Sequence, residues 1–98
     1  MKTYKSDSVR AALRRAQRPY WDMAKHANQR TAKYGVVGII RFRDVMAIFK
    51  RDGHKCRYCA TKRLLGLDHV QPLSAGGPND AQNIVVACRS CNASKWRG

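Results

Sequence analysis

Three features of the 98-residue sequence predict an α+β fold. Two Cys-x-x-Cys pairs, Cys56/Cys59 and Cys88/Cys91, close the residues between them into one loop. Inside that loop run two short β-favouring stretches, Leu64–Leu67 leading into Asp68-His69, and Asn83-Ile84-Val85-Val86-Ala87. Ahead of the first pair, apolar residues recur at helical spacing, with helix terminators at Pro19, Gly35 and Gly53. Two pairs at this spacing suit a tetrahedral zinc, since each short knuckle presents two thiolates to one ion.

Length and charge set the frame. The chain is one domain at most, with a modest core that a structural metal would support. Structural zinc contributes on the order of 10–16 kcal/mol in zinc-finger peptides, so the apo form is expected to be partly unfolded. Twenty Lys and Arg against six Asp and Glu give a net charge of +14. The excess is even: nine basic and two acidic residues over 1–35, eleven and four over 36–98. Phosphate backbones are the default partner of such a cation, with an RNA-bound structural protein as the bland alternative. Four cysteines also admit two disulfides, which would imply export. The polar opening Met1–Asp7 has no signal-peptide character, and no apolar run approaches the roughly 20 residues of a membrane span. Zinc in a reducing, cytoplasmic setting is therefore expected.

In chain order, Met1–Asp7 reads as a frayed basic tail. Ser8 is a plausible N-cap for a helix over Val9–Gln17, where Val9, Ala12, Leu13 and Ala16 form one apolar stripe. Arg10, Arg14, Arg15 and Arg18 on the other faces suit either solvent or phosphates. Pro19 places a break or kink at Arg18. Tyr20–Lys33 is helical again and ends at Gly35 as C′. Trp21 and Tyr34 read as packing or anchor residues, and His26 as a surface histidine. Val36–Ile40 is an apolar connector. A helix then begins at Arg43 or Asp44, buries Val45, Ile48 and Phe49, and ends at Gly53. His54 reads as a bystander to the four thiolates. Pro72 stops the first strand, Gly76–Asp80 is a loop, and Cys88–Lys95, without Gly or Pro, is a short helix that begins inside the second knuckle. The C-terminal unit is thus strand, loop, strand, helix.

At these residues the sequence resembles the HNH endonucleases of ββα-metal fold. The matching positions are Cys56-x-x-Cys59, Asp68-His69, Pro72, Gly76-Gly77, Asn83 and Cys88-x-x-Cys91-Asn92-x-x-Lys95. The resemblance covers about Arg43 to Lys95 and divides the chain into a basic helical extension, 1–42, and a nuclease domain, 43–98. One departure is Asn92, where many relatives have His. The resemblance implies hydrolysis of DNA phosphodiesters, leaving 5′-phosphate and 3′-hydroxyl ends. It implies His69 as general base, and Asp68 and Asn92 as ligands to a catalytic Mg²⁺ or Mn²⁺. It implies Asn83 as the residue that holds the long loop and orients the base; the plainer reading of Asn83 is a turn asparagine. Neighbours on an extended segment point to opposite sides, which suits different roles for Asp68 and His69. Lys62, Arg63, Arg89, Lys95 and Arg97 are candidate DNA contacts. A stand-alone phage or bacterial nuclease is expected, nicking alone or cutting both strands as a homodimer, or serving within a phage or restriction assembly. The competing expectation is a non-catalytic zinc module that binds nucleic acid.

Overall fold

A computed structural model describes residues 2–36 and 38–97, with side chains over 8–36 and 38–94. The side chains of the expected Met1–Asp7 tail, and Val37 of the expected connector, lie outside the described residues. Helix α1 spans Lys2–Lys33 and α2 Phe42–Arg51. Strand β1 is Leu65–His69, β2 is Ile84–Cys88, and α3 is Arg89–Arg97. Single turns of 3₁₀-helix, Leu73–Ala75 and Ala81–Asn83, fold the β1–β2 connection. No helix of the described residues is long and apolar enough to cross a membrane.

The N-terminal third departs from expectation. Backbone 2–7 belongs to α1, so Ser8 is not its cap, and the helix runs through Pro19 without a break. Proline removes the bond to the carbonyl of Arg15. Both residues are exposed, so water can take that carbonyl. The stripe Val9, Ala12, Leu13 and Ala16 is exposed, with Val9 at 58% and Leu13 at 53%. Periodicity at those positions correctly marks a helix but not a buried face. The face that packs lies further on, where Ala24, Ala27 and Thr31 are buried and Tyr20 and Met23 partly so.

That face meets α2, which buries Val45, Ile48 and Phe49 as predicted, and the sheet residues Leu67, Ile84 and Val86. Tyr20 sets its ring edge-on to Phe49 at 5.4 Å, and Trp21 stacks on Phe42 at 4.3 Å. The C-terminal half of α1 therefore shares one core with the hairpin. Gly35 and Gly53 end their helices as expected, at φ 67° and 73°. In each case the next N–H reaches five residues back, Val36 to Thr31 and His54 to Phe49.

The sheet is one antiparallel hairpin, registered Leu67↔Val86, Asp68↔Val85 and His69↔Ile84. Its long connection is drawn tight at Gly77, where a Cβ would stand 1.9 Å from the Gln71 carbonyl oxygen. No other residue fits there without moving backbone.

Asp52, unremarked in the sequence, fastens α2 to β2. Its carboxylate accepts from Arg51 Nε at 2.8 Å, Arg57 Nη1 at 3.0 Å and the Val86 N–H at 2.9 Å. The Arg51 guanidinium, ahead of the other contacts, holds the carboxyl below its ordinary value of 3.8. Asp52→Ala strands a buried N–H, a cost of about 1–3 kcal/mol, while the exposed arginines contribute about 1 kcal/mol or less. We expect urea titration to find the variant about 2–3 kcal/mol less stable at pH 7. A depressed carboxyl stabilises above its unfolded pKa, so the wild-type advantage should shrink as pH falls below about 4. A gap under 0.5 kcal/mol, on the order of a neutral surface change, would contradict this role.

Candidate active site

The four cysteines converge. Their sulfurs all lie within 4.8 Å of one another, and Cys59 Sγ stands 3.7 Å from Cys88 Sγ. Sulfurs about 2.3 Å from a tetrahedral zinc are about 3.8 Å apart, whereas a disulfide needs about 2.05 Å. None of the four is disulfide-bonded. Both knuckles are wound as ligand turns: Ala60 N–H donates to the Cys56 carbonyl at 2.9 Å, and Cys91 N–H to Cys88 Sγ at 3.4 Å. Burial is the largest influence on the Cys56 thiol and pushes it up, but backbone groups of Cys88, Cys59 and Tyr58 outweigh it and bring it to about 6. The Cys88 and Cys59 side chains push Cys91 up to about 12. Four sulfurs this close ionise together only when a cation offsets their charge, and the donor set fits zinc. His54 is exposed, its ring 5.9 Å from that of Phe49.

Asp68 and His69 end β1, both 1% exposed. Strand alternation sends them to different partners. Asp68 Oδ2 accepts the Tyr58 hydroxyl at 2.6 Å, so a residue inside the first knuckle touches the carboxylate. Burial, then the Asp68 hydrogen bond and charge, raise the Tyr58 phenol well above its ordinary value. His69 Nε2 lies 2.9 Å from Asn79 Oδ1. Asn92, next to Cys91 on α3, donates from Nδ2 to the Leu67 carbonyl at 3.3 Å, one residue from Asp68. Asn83 ties the connection shut: it accepts from the Gln71 N–H at 2.9 Å and donates to the Gln71 and Pro78 carbonyls at 3.0 and 2.9 Å.

These elements border a cleft of about 320 Å³ lined by His69, Asn92 and Arg89, and by His26 and Arg30 of α1. A second cleft of about 400 Å³ shares Arg30, Arg89 and Asn92. Lys62 and Arg63 are exposed and line neither cleft. The side chains of Lys95 and Arg97 lie outside the described residues. A larger groove, about 940 Å³, runs past Trp21, Ile39 and Phe42 and shares no lining residue with the His69 cleft.

Residues 56–97 match the family model of the HNH endonuclease. Over these residues the chain is similar to the HNH endonucleases. Neither a curated protein nor a solved structure matches the chain. Within the matched residues the hairpin and α3 make a ββα unit, with the cysteine quartet joining the first knuckle to α3.

Several residues that meet this site carry no local signal in the sequence. Asn79 stood in a Gly-Pro-Asn-Asp loop, where an asparagine signals only a turn. Tyr58 sits between two cysteines, and nothing local points to its carboxylate partner ten residues on. Arg30 and His26 lie one turn apart and share the cleft, a spacing visible in the sequence but with no cue to what they face.

Proposed function

We propose that the protein is a metal-dependent endonuclease that hydrolyses DNA phosphodiester bonds, with 43–98 as the nuclease domain and 1–42 as a basic helical extension docked on it. The observation that carries this reading is the convergence, within an HNH domain, of three side chains on one strand end. His69 borders a cleft with Asn92, and Asn92 in turn reaches the backbone beside Asp68. His69 is the general base: an imidazole takes a proton from water near neutral pH, where few other side chains can. Asp68 and Asn92 would hold the catalytic ion. A carboxylate and an amide oxygen fit the hard-donor preference of Mg²⁺ or Mn²⁺. With Asn92 Nδ2 turned to Leu67, oxygen is the atom the amide offers. Such an ion supplies charge stabilisation at the phosphoryl oxygens and the leaving O3′.

Asn83 keeps the loop beside the base in one conformation. Arg30 and Arg89, which line both clefts, would meet phosphates of the cleaved strand. Lys62 and Arg63 would extend the basic surface, and Lys95 and Arg97 are further candidate contacts by charge alone. A structural zinc on the four cysteines fixes α3, and a reducing, cytoplasmic compartment suits it. One cleft cuts one strand, so double-strand breaks need two copies or two encounters.

The test is cleavage of supercoiled plasmid by the zinc-loaded protein. Nicked product should accumulate with Mg²⁺ or Mn²⁺, fall with rising salt as phosphate contacts are screened, and vanish when the catalytic ion is withheld. Retarded but uncut plasmid under every metal would leave a binding module in place of a nuclease.

A further inference from the structure

The orientation of His69 can be traced, bond by bond, to backbone groups of the segment that follows α1. Asn28 of α1 is pinned by both ends of one peptide residue. Its Oδ1 accepts from the Ile40 N–H at 2.9 Å, and its Nδ2 donates to the Ile40 carbonyl at 2.9 Å. Backbone groups cannot exchange roles, so this amide cannot flip without breaking both bonds. Asn79 Nδ2 then donates to Asn28 Oδ1 at 2.9 Å and to the Gly38 carbonyl at 3.1 Å. Two acceptors facing the same atom require it to be the NH₂. The remaining amide atom of Asn79 is therefore its oxygen, and that oxygen faces His69 Nε2 at 2.9 Å. An oxygen there needs a proton on Nε2.

We infer that Asn79 and Asn28 are positioning residues, a two-amide relay through which the N-terminal extension holds neutral His69 in the Nε2–H tautomer. The opposite tautomer would set two lone pairs against each other at hydrogen-bond distance. Nδ1 is consequently the nitrogen that receives a proton. The imidazolium also carries Nε2–H, so the ring keeps the same bond to Asn79 before and after proton uptake.

The surroundings suit a fixed relay. Asn79 is 3% exposed, so water does not compete for its amide. Gly38 comes so close that a Cβ there would stand 2.8 Å from the Asn79 carbonyl oxygen. The relay spans 51 residues of sequence from Asn28 to Asn79. It also gives the extension a part in the site that its charge does not account for.

The catalytic half of this inference rests on His69 being the base; the tautomer does not. Long-range ¹H–¹⁵N spectra of the zinc-loaded, full-length protein near pH 8.5, about two units above the ordinary imidazole value, read the tautomer directly. His69→Gln identifies the signal among the three histidines. Wild type should display Nε2–H at His69; Nδ1–H, or rapid averaging of the two nitrogens, overturns the relay. Asn79→Ala and Asn28→Ala should each shift His69 towards averaged nitrogens. In plasmid cleavage they should lower kcat by about 10- to 100-fold with KM within about twofold. A variant that keeps the wild-type ring spectrum and kcat counts against the relay. If wild type cuts no DNA yet displays Nε2–H, the nuclease reading fails and the tautomer stands.

Discussion

His69→Ala should slow plasmid cleavage by about 10³-fold, within the range of about 10²–10⁴ that a positioned general base contributes. The ring is 1% exposed, so the substitution also opens a cavity and removes the donor facing Asn79 Oδ1. That combination costs a few kcal/mol of stability at most, and its effect on rate must be kept apart from the chemical one. Three measurements separate them. Zinc content and circular dichroism should stay close to wild type, because the thiolate cluster is built from other residues. Binding of a short DNA duplex in Ca²⁺ should change by less than about threefold, as phosphate contacts and not the imidazole would supply affinity. Free imidazole should restore part of the rate, since the cavity has the shape of the deleted ring. Cleavage within about threefold of wild type would remove His69 from the role of base. Lost activity with lost zinc and lost helical signal would reassign the residue to the core.

The parts of this architecture that were legible beforehand are those encoded at short range. The β-branched run expected as the returning strand at Asn83–Ala87 forms it one residue later, at Ile84–Cys88, so Asn83 ends a turn and Cys88 ends the strand instead of opening the helix; Val45, Ile48 and Phe49 follow the helical period and are buried. The two Cys-x-x-Cys pairs share a metal-binding geometry because each knuckle is a local turn and only the meeting of the two is long-range. The illegible parts depend on partners. Val9, Ala12, Leu13 and Ala16 obey the same period as the α2 face yet are exposed, because period reports a helix and not what lies against it. Pro19 breaks a helix when the freed carbonyl is buried and is tolerated when water reaches it. Asp52 and Asn79 are ordinary residues by composition. Their weight comes from bonds to Val86 and Asn28, 34 and 51 positions away, which no local pattern announces.

Removing the thiolate-bound metal should have the largest effect on the molecule as a whole. A chain of 98 residues is stabilised by roughly 5–15 kcal/mol in total, and structural zinc contributes about 10–16 kcal/mol in small peptides. Even if about half of the latter applies here, the apo protein is marginal. The site shows why. The second core cluster is Cys56, Ala87 and Cys88, so the thiols are themselves its buried surface. Helix α3 has nine residues, too few to persist alone in water, and Cys91 is its tether. Tyr58 and Asn92 each adjoin a cysteine and touch Asp68 or the residue before it, so release of the quartet frees both. Loaded protein should contain one zinc per chain. Cys91→Ala should lose that zinc, melt at least about 20 °C lower at 4–8 °C per kcal/mol, and cut no plasmid at a temperature where α1 still gives helical signal. Readdition of zinc should rescue chelator-stripped wild type and not the variant. A zinc-free Cys91→Ala protein that melts and cuts like wild type would detach the staple from the site, and the placement of Asn92 would then need another cause.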